Sequence, residues 1–325
     1  MKRTVFYSVI SVLLCLLFNA CADTTSRVTP RSDVGIALSG GGAKAAAHIG
    51  VLKYLEKEGV EVGYIAGTSM GAFVGGLYAA GYTADEIDSL WCNEDWISLF
   101  DESAVLIGGD RSFLGLVKGD DLEDNLRRVL AKKGCTRIED TRIKFCCTAS
   151  VIKDYETLEE VVFDSGDMAK AIRASMAHPI GYMPLEYNGM LLVDGGMLNN
   201  LPVDVVKRMG ASKVIAVDLQ SGAPKDREDA DISMCKKLLI DWLKSKPYIN
   251  IGIYLSRSNW IVNWFEERPD IGKRKANSES ADIYIHPDLT DYNIVSFSEL
   301  DAYYMKLYGE DEAQKYENEI RALRR

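Results

Sequence analysis

Val62-Gly63-Tyr64-Ile65-Ala66-Gly67-Thr68-Ser69-Met70-Gly71-Ala72-Phe73-Val74-Gly75-Gly76-Leu77-Tyr78-Ala79-Ala80 is the stretch on which the reading of this chain turns. Its opening residues form a short apolar strand centred on Tyr64 to Ala66, and Ser69 to Ala80 reads as a helix. Between them stands Gly67-Thr68-Ser69-Met70-Gly71, a G-x-S-x-G pattern in the strand–turn–helix context of a nucleophile elbow. The glycines leave room for a turn sharp enough to push the serine hydroxyl out at the top of a sheet. A serine hydroxyl is a poor nucleophile until a base takes its proton.

Two groups compete for the role of base. The chain has three histidines, His48, His178 and His286. Only His286, in Tyr284-Ile285-His286-Pro287-Asp288, stands late enough for the order Ser, Asp or Glu, His. Asp194 is the other candidate. In Leu191-Leu192-Val193-Asp194-Gly195-Gly196 it ends an apolar strand and is followed by glycines, a good place to present one side chain to a neighbouring strand end. A third piece lies upstream. Gly35 to Ser39 reads as a strand, Gly40-Gly41-Gly42 as a loop, and Lys44 begins a helix. Consecutive glycines let backbone N–H groups converge, and a helix N-terminus adds partial positive charge, so such a loop can hold an oxyanion or a phosphate.

Together these pieces resemble the patatin-like phospholipases. The matching blocks are Gly40-Gly41-Gly42-Ala43-Lys44, Gly67 to Gly71, Arg173-Ala174-Ser175-Met176-Ala177-His178-Pro179, and Asp194-Gly195-Gly196. They run in the family's order from about Asp33 to Leu219, with a weaker echo from Ala281 to Leu289. The resemblance implies a three-layer α/β fold, with a mainly parallel central sheet and helices on both faces. It implies a Ser-Asp dyad without histidine: Ser69 as nucleophile, Asp194 as base, and oxyanion donors drawn from Gly40, Gly41 and Gly42, Gly41 and Gly42 foremost. Lys44 would position the loop or meet a phosphate. The implied activity is a serine lipid acyl hydrolase of the phospholipase A or lysophospholipase type, with membrane lipid as substrate and no cofactor or metal. One departure is Ala45, where the family usually has glycine; an extra methyl there is expected to press the new helix against the loop or sheet. The alternative function is a non-catalytic lipoprotein with a patatin-like shell that binds lipid or a partner.

The amino-terminus reads as a targeting segment. Lys2-Arg3 are basic, Val5 to Phe18 is an apolar run too short for a comfortable transmembrane helix, and Phe18-Asn19-Ala20-Cys21 resembles a bacterial lipoprotein cleavage site. This predicts a lipidated Cys21 and a protein anchored to a membrane of the bacterial cell envelope. The predicted organisation is a signal at 1–20, a tether at 21–32, a catalytic domain at 33–224 and a mostly helical extension at 225–325 packed on it. Net charge is −10, which argues against nucleic acid as the main partner and against docking on anionic lipid through bulk charge. Cys92, Cys135, Cys146, Cys147 and Cys235 lack metal-like spacing, and Cys146-Cys147 reads as packing in a strand rather than a redox pair. The sequence does not speak to oligomeric state.

Along the chain, strands at Val34 to Ser39, Lys144 to Val151, Val161 to Phe163, Met190 to Asp194 and Lys213 to Asp218 alternate with helices at Lys44 to Glu58, Thr83 to Trp91, Asp120 to Ala131, Asp167 to Met176 and Pro202 to Met209. Thr83 and Glu86 form a capping box. Trp91 to Leu116 is rich in large apolar residues and reads equally as an acyl-chain wall or a core-covering loop. In the tail, helices are expected at Ser233 to Ser245, around Trp260 and Trp264, at Ser298 to Tyr308 and at Asp311 to Leu323. A dinucleotide site is the rival reading of Gly40-x-Gly42-x-x-Ala45. It requires a carboxylate at the end of the next strand, where this chain has Gly67-Thr68-Ser69.

Overall fold

The computed structural model describes residues 29–92, 119–153, 157–178, 182–220 and 269–324. The expectations for the leader, Cys21, the wall beyond Cys92, Pro179, the helix at Ser233 to Ser245 and the Trp260–Trp264 face lie outside these residues.

Eight strands make one sheet among the described residues: β1 (Val34–Leu38), β2 (Tyr64–Thr68), β3 (Lys144–Lys153), β4 (Thr157–Phe163), β5 (Leu185–Tyr187), β6 (Met190–Asp194), β7 (Lys213–Val217) and β8 (Ile283–Ile285). Strands buried on both faces read as unbroken apolar runs and pair in parallel beneath helices. Accordingly β1, buried throughout, pairs in parallel with β2 on one side and β7 on the other, with Ile36 opposite both Ile65 and Ile215. β2 continues in parallel to β3, and β7 to β8. The pairs β3–β4, β3–β6 and β5–β6 are antiparallel.

Side chains along these strands alternate between two cores. Ile36, Leu38, Ile65, Phe145, Cys147, Ile215 and Val217 enter the larger one. Ala37, Ala66, Cys146, Val214 and Ala216 enter the smaller one. Cys146 and Cys147 therefore point to opposite faces, as free thiols. The larger core is covered by α1 (Ala46–Lys57), α2 (Met70–Ala79), α3 (Ala84–Trp91), α4 (Asp120–Lys132) and α5 (Met168–Ser175). The smaller one packs on α6 (Val203–Met209), against which α7 (Pro269–Ser280) is tied by Asn277, whose amide donates to the Leu201 carbonyl at 2.7 Å. The result is the expected three layers. Thr83 caps α3 with the predicted capping box to Glu86.

The tail differs from expectation in two ways. Ile283–Ile285 supplies an edge strand of the sheet, so the region after residue 224 is built into the sheet as well as packed on it. Ser298 caps one long helix, α8 (Glu299–Gln314), followed by short α9 (Glu317–Arg321), where two helices of similar length were expected. The helix runs through Gly309 because that glycine lies against the Ala47 backbone of α1, while Gly50 of α1 lies against the Lys306 carbonyl. A Cβ at either place would collide with backbone, so the pair of glycines sets a close helix crossing.

The register around β3 positions the site. From Cys147 to Lys153, β4 occupies one edge of β3. β2 pairs with β3 up to Thr148, and β6 pairs with it from Ala149 to Val151. Both must therefore use the opposite edge, β2 parallel and β6 antiparallel. They approach head to head, with Thr68 opposite Thr148 and Asp194 opposite Ala149. The ends of two strands far apart in sequence meet along one edge.

Candidate active site

Ser69 follows Thr68 with φ 54° and ψ −126°, a conformation that costs a non-glycine residue energy and that the surrounding structure must enforce. The flanking glycines permit it. A Cβ at Gly67 would lie 2.6 Å from the Ala72 Cα, and one at Gly71 would lie 2.5 Å from the Ser39 carbonyl oxygen. No side chain fits at either position.

The head-to-head strands bring Asp194 to this serine. Ser69 Oγ donates to Asp194 Oδ2 at 2.7 Å. Asp194 Oδ1 accepts from the Gly196 N–H at 2.7 Å, which fixes the carboxylate plane. Asp194 is 2% exposed. Burial raises its pKa to about 7, against the opposing pull of the Ser69 hydroxyl and the Gly196 amide, both of which favour the ionised form.

The glycine loop lies beside the serine: a Cβ on Gly40 would be 3.0 Å from that of Ser69. The Gly40 N–H donates to the Asn200 carbonyl at 3.2 Å, the Ala43 N–H to the Ile294 carbonyl at 2.9 Å, and the Lys44 N–H to the Gly41 carbonyl at 3.1 Å. Among the described residues the Gly41 and Gly42 N–H groups form no such backbone bond. Lys44 is completely buried, so it is not a solvated residue of a first helical turn. Ala45 has φ −62° and ψ −11°, ordinary right-handed backbone, and is fully buried in the larger core where the turn Gly42–Ala45 meets α1.

Two of the three histidines commit a ring nitrogen to a backbone carbonyl. His48 Nε2 donates to the Ser39 carbonyl at 2.8 Å, and burial lowers its pKa to about 4. His286 Nδ1 donates to the Asp218 carbonyl at 2.9 Å, and its ring stacks on Tyr284. His178 is half-buried, and desolvation lowers its pKa to about 4. The late histidine that fitted a triad order therefore sits at the end of β8 with its Nδ1 proton spent on backbone.

Other groups at the site carried no assigned role in the sequence. Asn200 Nδ2 donates to the Gly40 carbonyl at 3.3 Å, so Asn200 ties the glycine loop to the segment following Asp194. Thr68 Oγ1 donates to the Asn199 carbonyl at 2.8 Å and lies 2.7 Å from Thr148 Oγ1, joining the elbow to the same segment. Ser175 Oγ accepts from the Ser69 N–H at 2.8 Å. Among the described residues no group of three or more His, Cys, Asp or Glu is arranged to hold a metal ion, and no helix is long and apolar enough to cross a membrane.

The chain is similar to several known proteins. The family model described as patatin-like phospholipase matches residues 36–207. The lysophospholipase NTE1 of Candida albicans is 30% identical over 294 residues, covering 86% of this chain and 20% of that protein. A patatin-like phospholipase domain-containing protein of Caenorhabditis elegans, ZK370.4, is 36% identical over 211 residues, covering 60% of this chain and 14% of that protein. The chain thus spans a fifth or less of the length of these curated relatives. Among solved structures, VipD from Legionella pneumophila aligns with a TM-score of 0.45 at 15% identity, covering 90% of this chain and 68% of that one.

Proposed function

The chain belongs to the patatin-like phospholipase family, and from that premise we propose that it hydrolyses carboxylic esters of membrane lipids with a Ser69–Asp194 dyad. The observation that carries this reading is the 2.7 Å hydrogen bond from Ser69 Oγ to a buried carboxylate. Asp194 takes the hydroxyl proton as Ser69 Oγ attacks the ester carbonyl. The oxyanion forms against the glycine loop. Gly40 has its N–H committed to Asn200, so the donors are the Gly41 and Gly42 amides. The alcohol or lysolipid leaves with the proton that Asp194 received. Water then cleaves the acyl-enzyme, with Asp194 again as base.

An ordinary carboxylate is too weak a base for this work at neutral pH. Burial raises Asp194 to about 7, in the range where a general base is both ionised and basic. The carboxylate thus supplies what a histidine supplies in a triad. The complete burial of Lys44, two residues after the last loop glycine, supports the loop-positioning role over contact with a headgroup phosphate.

The relatives named lysophospholipase support a lysophospholipid as substrate. The basic pair Lys2-Arg3, the apolar run Val5 to Phe18 and Cys21 support attachment to a membrane of the bacterial envelope through a lipidated Cys21. The test is release of fatty acid from lysophosphatidylcholine by the purified protein and by Ser69→Ala. Release by the parent and its loss in the folded variant are expected. A folded parent that releases none from lysophospholipid, diacyl phospholipid or simple esters would leave the non-catalytic shell. Cys21→Ser should move the protein from the membrane to the soluble fraction, and unchanged fractionation would refute lipidation.

A further inference from the structure

Ser69 and Asp194 come from two different strands, so their separation depends on what ties the two strand ends together. The end of α5 and the turn after it touch both residues through main-chain N–H groups. The Ser69 N–H donates to Ser175 Oγ at 2.8 Å. The Asp194 N–H donates to the Ala177 carbonyl at 3.0 Å. Ser175 is the last residue of α5, and it and Ala177 are fully buried.

The turn is itself anchored. Arg173 Nη2 donates to the Met183 carbonyl at 3.0 Å, and its guanidinium lies 4.9 Å from the centre of the Tyr182 ring. The Tyr182 N–H closes on the His178 carbonyl at 2.9 Å. At the other end of α5, Asp167 caps the helix by accepting from the Lys170 N–H.

The Ser69 amide has particular need of such a partner. It stands at the cap of α2, where no intrahelical carbonyl is available to it. Its residue also bears the strained φ of 54°. A hydroxyl oxygen supplied by another helix satisfies that amide and fixes the peptide plane from which Oγ projects.

We infer that Ser175 is a positioning residue: with the Ala177 carbonyl it forms a two-point clamp that holds Ser69 and Asp194 at hydrogen-bonding distance. This rests on the dyad proposed above. Without the hydroxyl, the elbow relaxes from its strained conformation and Oγ swings away from Asp194. Small misplacements of this kind cost up to about a hundredfold in rate.

The experiment compares Ser175→Ala and Ser175→Cys in the parent and in an Asp194→Asn background. The readouts are kcat and KM on a soluble short-chain p-nitrophenyl ester, the pH profile, and the rate of labelling by a fluorophosphonate. Ser175→Cys keeps the volume and offers only a weak sulfur acceptor, so it reports even where the alanine variant folds poorly. Both variants should lose about tenfold or more in kcat, with KM little changed. The acid limb of the profile should move to higher pH, because the Ser69 hydroxyl that favours the ionised carboxylate is no longer held against it. In the Asp194→Asn background the same changes at Ser175 should cost almost nothing further, since residues acting as one unit are non-additive. A folded variant with parental kcat overturns the clamp. So does an equal fold-loss in both backgrounds with the acid limb unmoved, which marks a merely structural serine. Failure of the dyad itself would show separately, as Asp194→Asn retaining parental activity.

Discussion

Asp194→Asn should make the protein more stable at alkaline pH while removing its activity. The carboxylate is buried, and its pKa moves from 3.8 to about 7 on folding. The folded state therefore holds a proton more tightly than the unfolded state. Between those two values the native form binds more protons, and stability falls as pH rises through the window. Above pH 7 the full cost of keeping an ionised carboxylate buried is present; below about pH 4 it is absent. At about 1.36 kcal/mol for each tenfold gain in proton affinity, that cost amounts to about 4 kcal/mol. An asparagine keeps the shape, its oxygen can still accept from the Gly196 N–H, and it carries no charge to bury. Urea unfolding of parent and variant, followed from pH 5 to pH 8.5, checks this. The variant should gain on the parent by about 3 kcal/mol between pH 5 and pH 7 and hold that lead to pH 8.5. A difference that does not change with pH would refute the reasoning, because Asp194 would then titrate alike in both states.

Three further outcomes follow from the same geometry. In the pH profile of kcat/KM, activity should drop about tenfold per unit on the acid side of an apparent pKa near 7; a limb near 4 would mean an ordinary carboxylate or no role for Asp194. His48→Ala, which strips a buried bond from the Ser39 carbonyl, should cost stability of roughly 1–3 kcal/mol but leave kcat far above that of Ser69→Ala. A folded His48, His178 or His286 variant as inactive as Ser69→Ala would restore a histidine to the mechanism. Gly71→Ala should lower the melting temperature and activity together, since its Cβ would press on the Leu38 and Ser39 carbonyls at a cost of about 1–3 kcal/mol or more; a variant with parental stability would mean that the elbow is looser than described.

What could be read in the sequence follows from how local each signal is. The elbow was legible because Gly67 and Gly71 are demanded by contacts within a few residues or with the adjoining strand. Strands β1, β2 and β7 were legible because burial on both faces leaves continuous apolar runs. β5 and β8, three residues each, are too short to show a period. The run of α8 through Gly309 depends on a backbone contact with α1 that no local pattern announces. Asp194 was singled out, but its meeting with Ser69 arises from two strands sharing one edge of β3, a matter of register. Ser175 and Asn200 act through bonds to backbone N–H and carbonyl groups. Such bonds leave no mark on the pattern of apolar and polar residues, and so Ser175, though quoted within its motif, had no role until the elbow was placed beside it.

The central claim is that Asp194 alone activates Ser69. Mass mapping of the adduct formed by a fluorophosphonate, with its rate followed across pH, tests this most directly. The account predicts a single adduct on Ser69, forming progressively more slowly below about pH 7 and abolished in Asp194→Asn. An adduct on another residue, or labelling of Ser69 that survives Asp194→Asn at the parental rate, would contradict it.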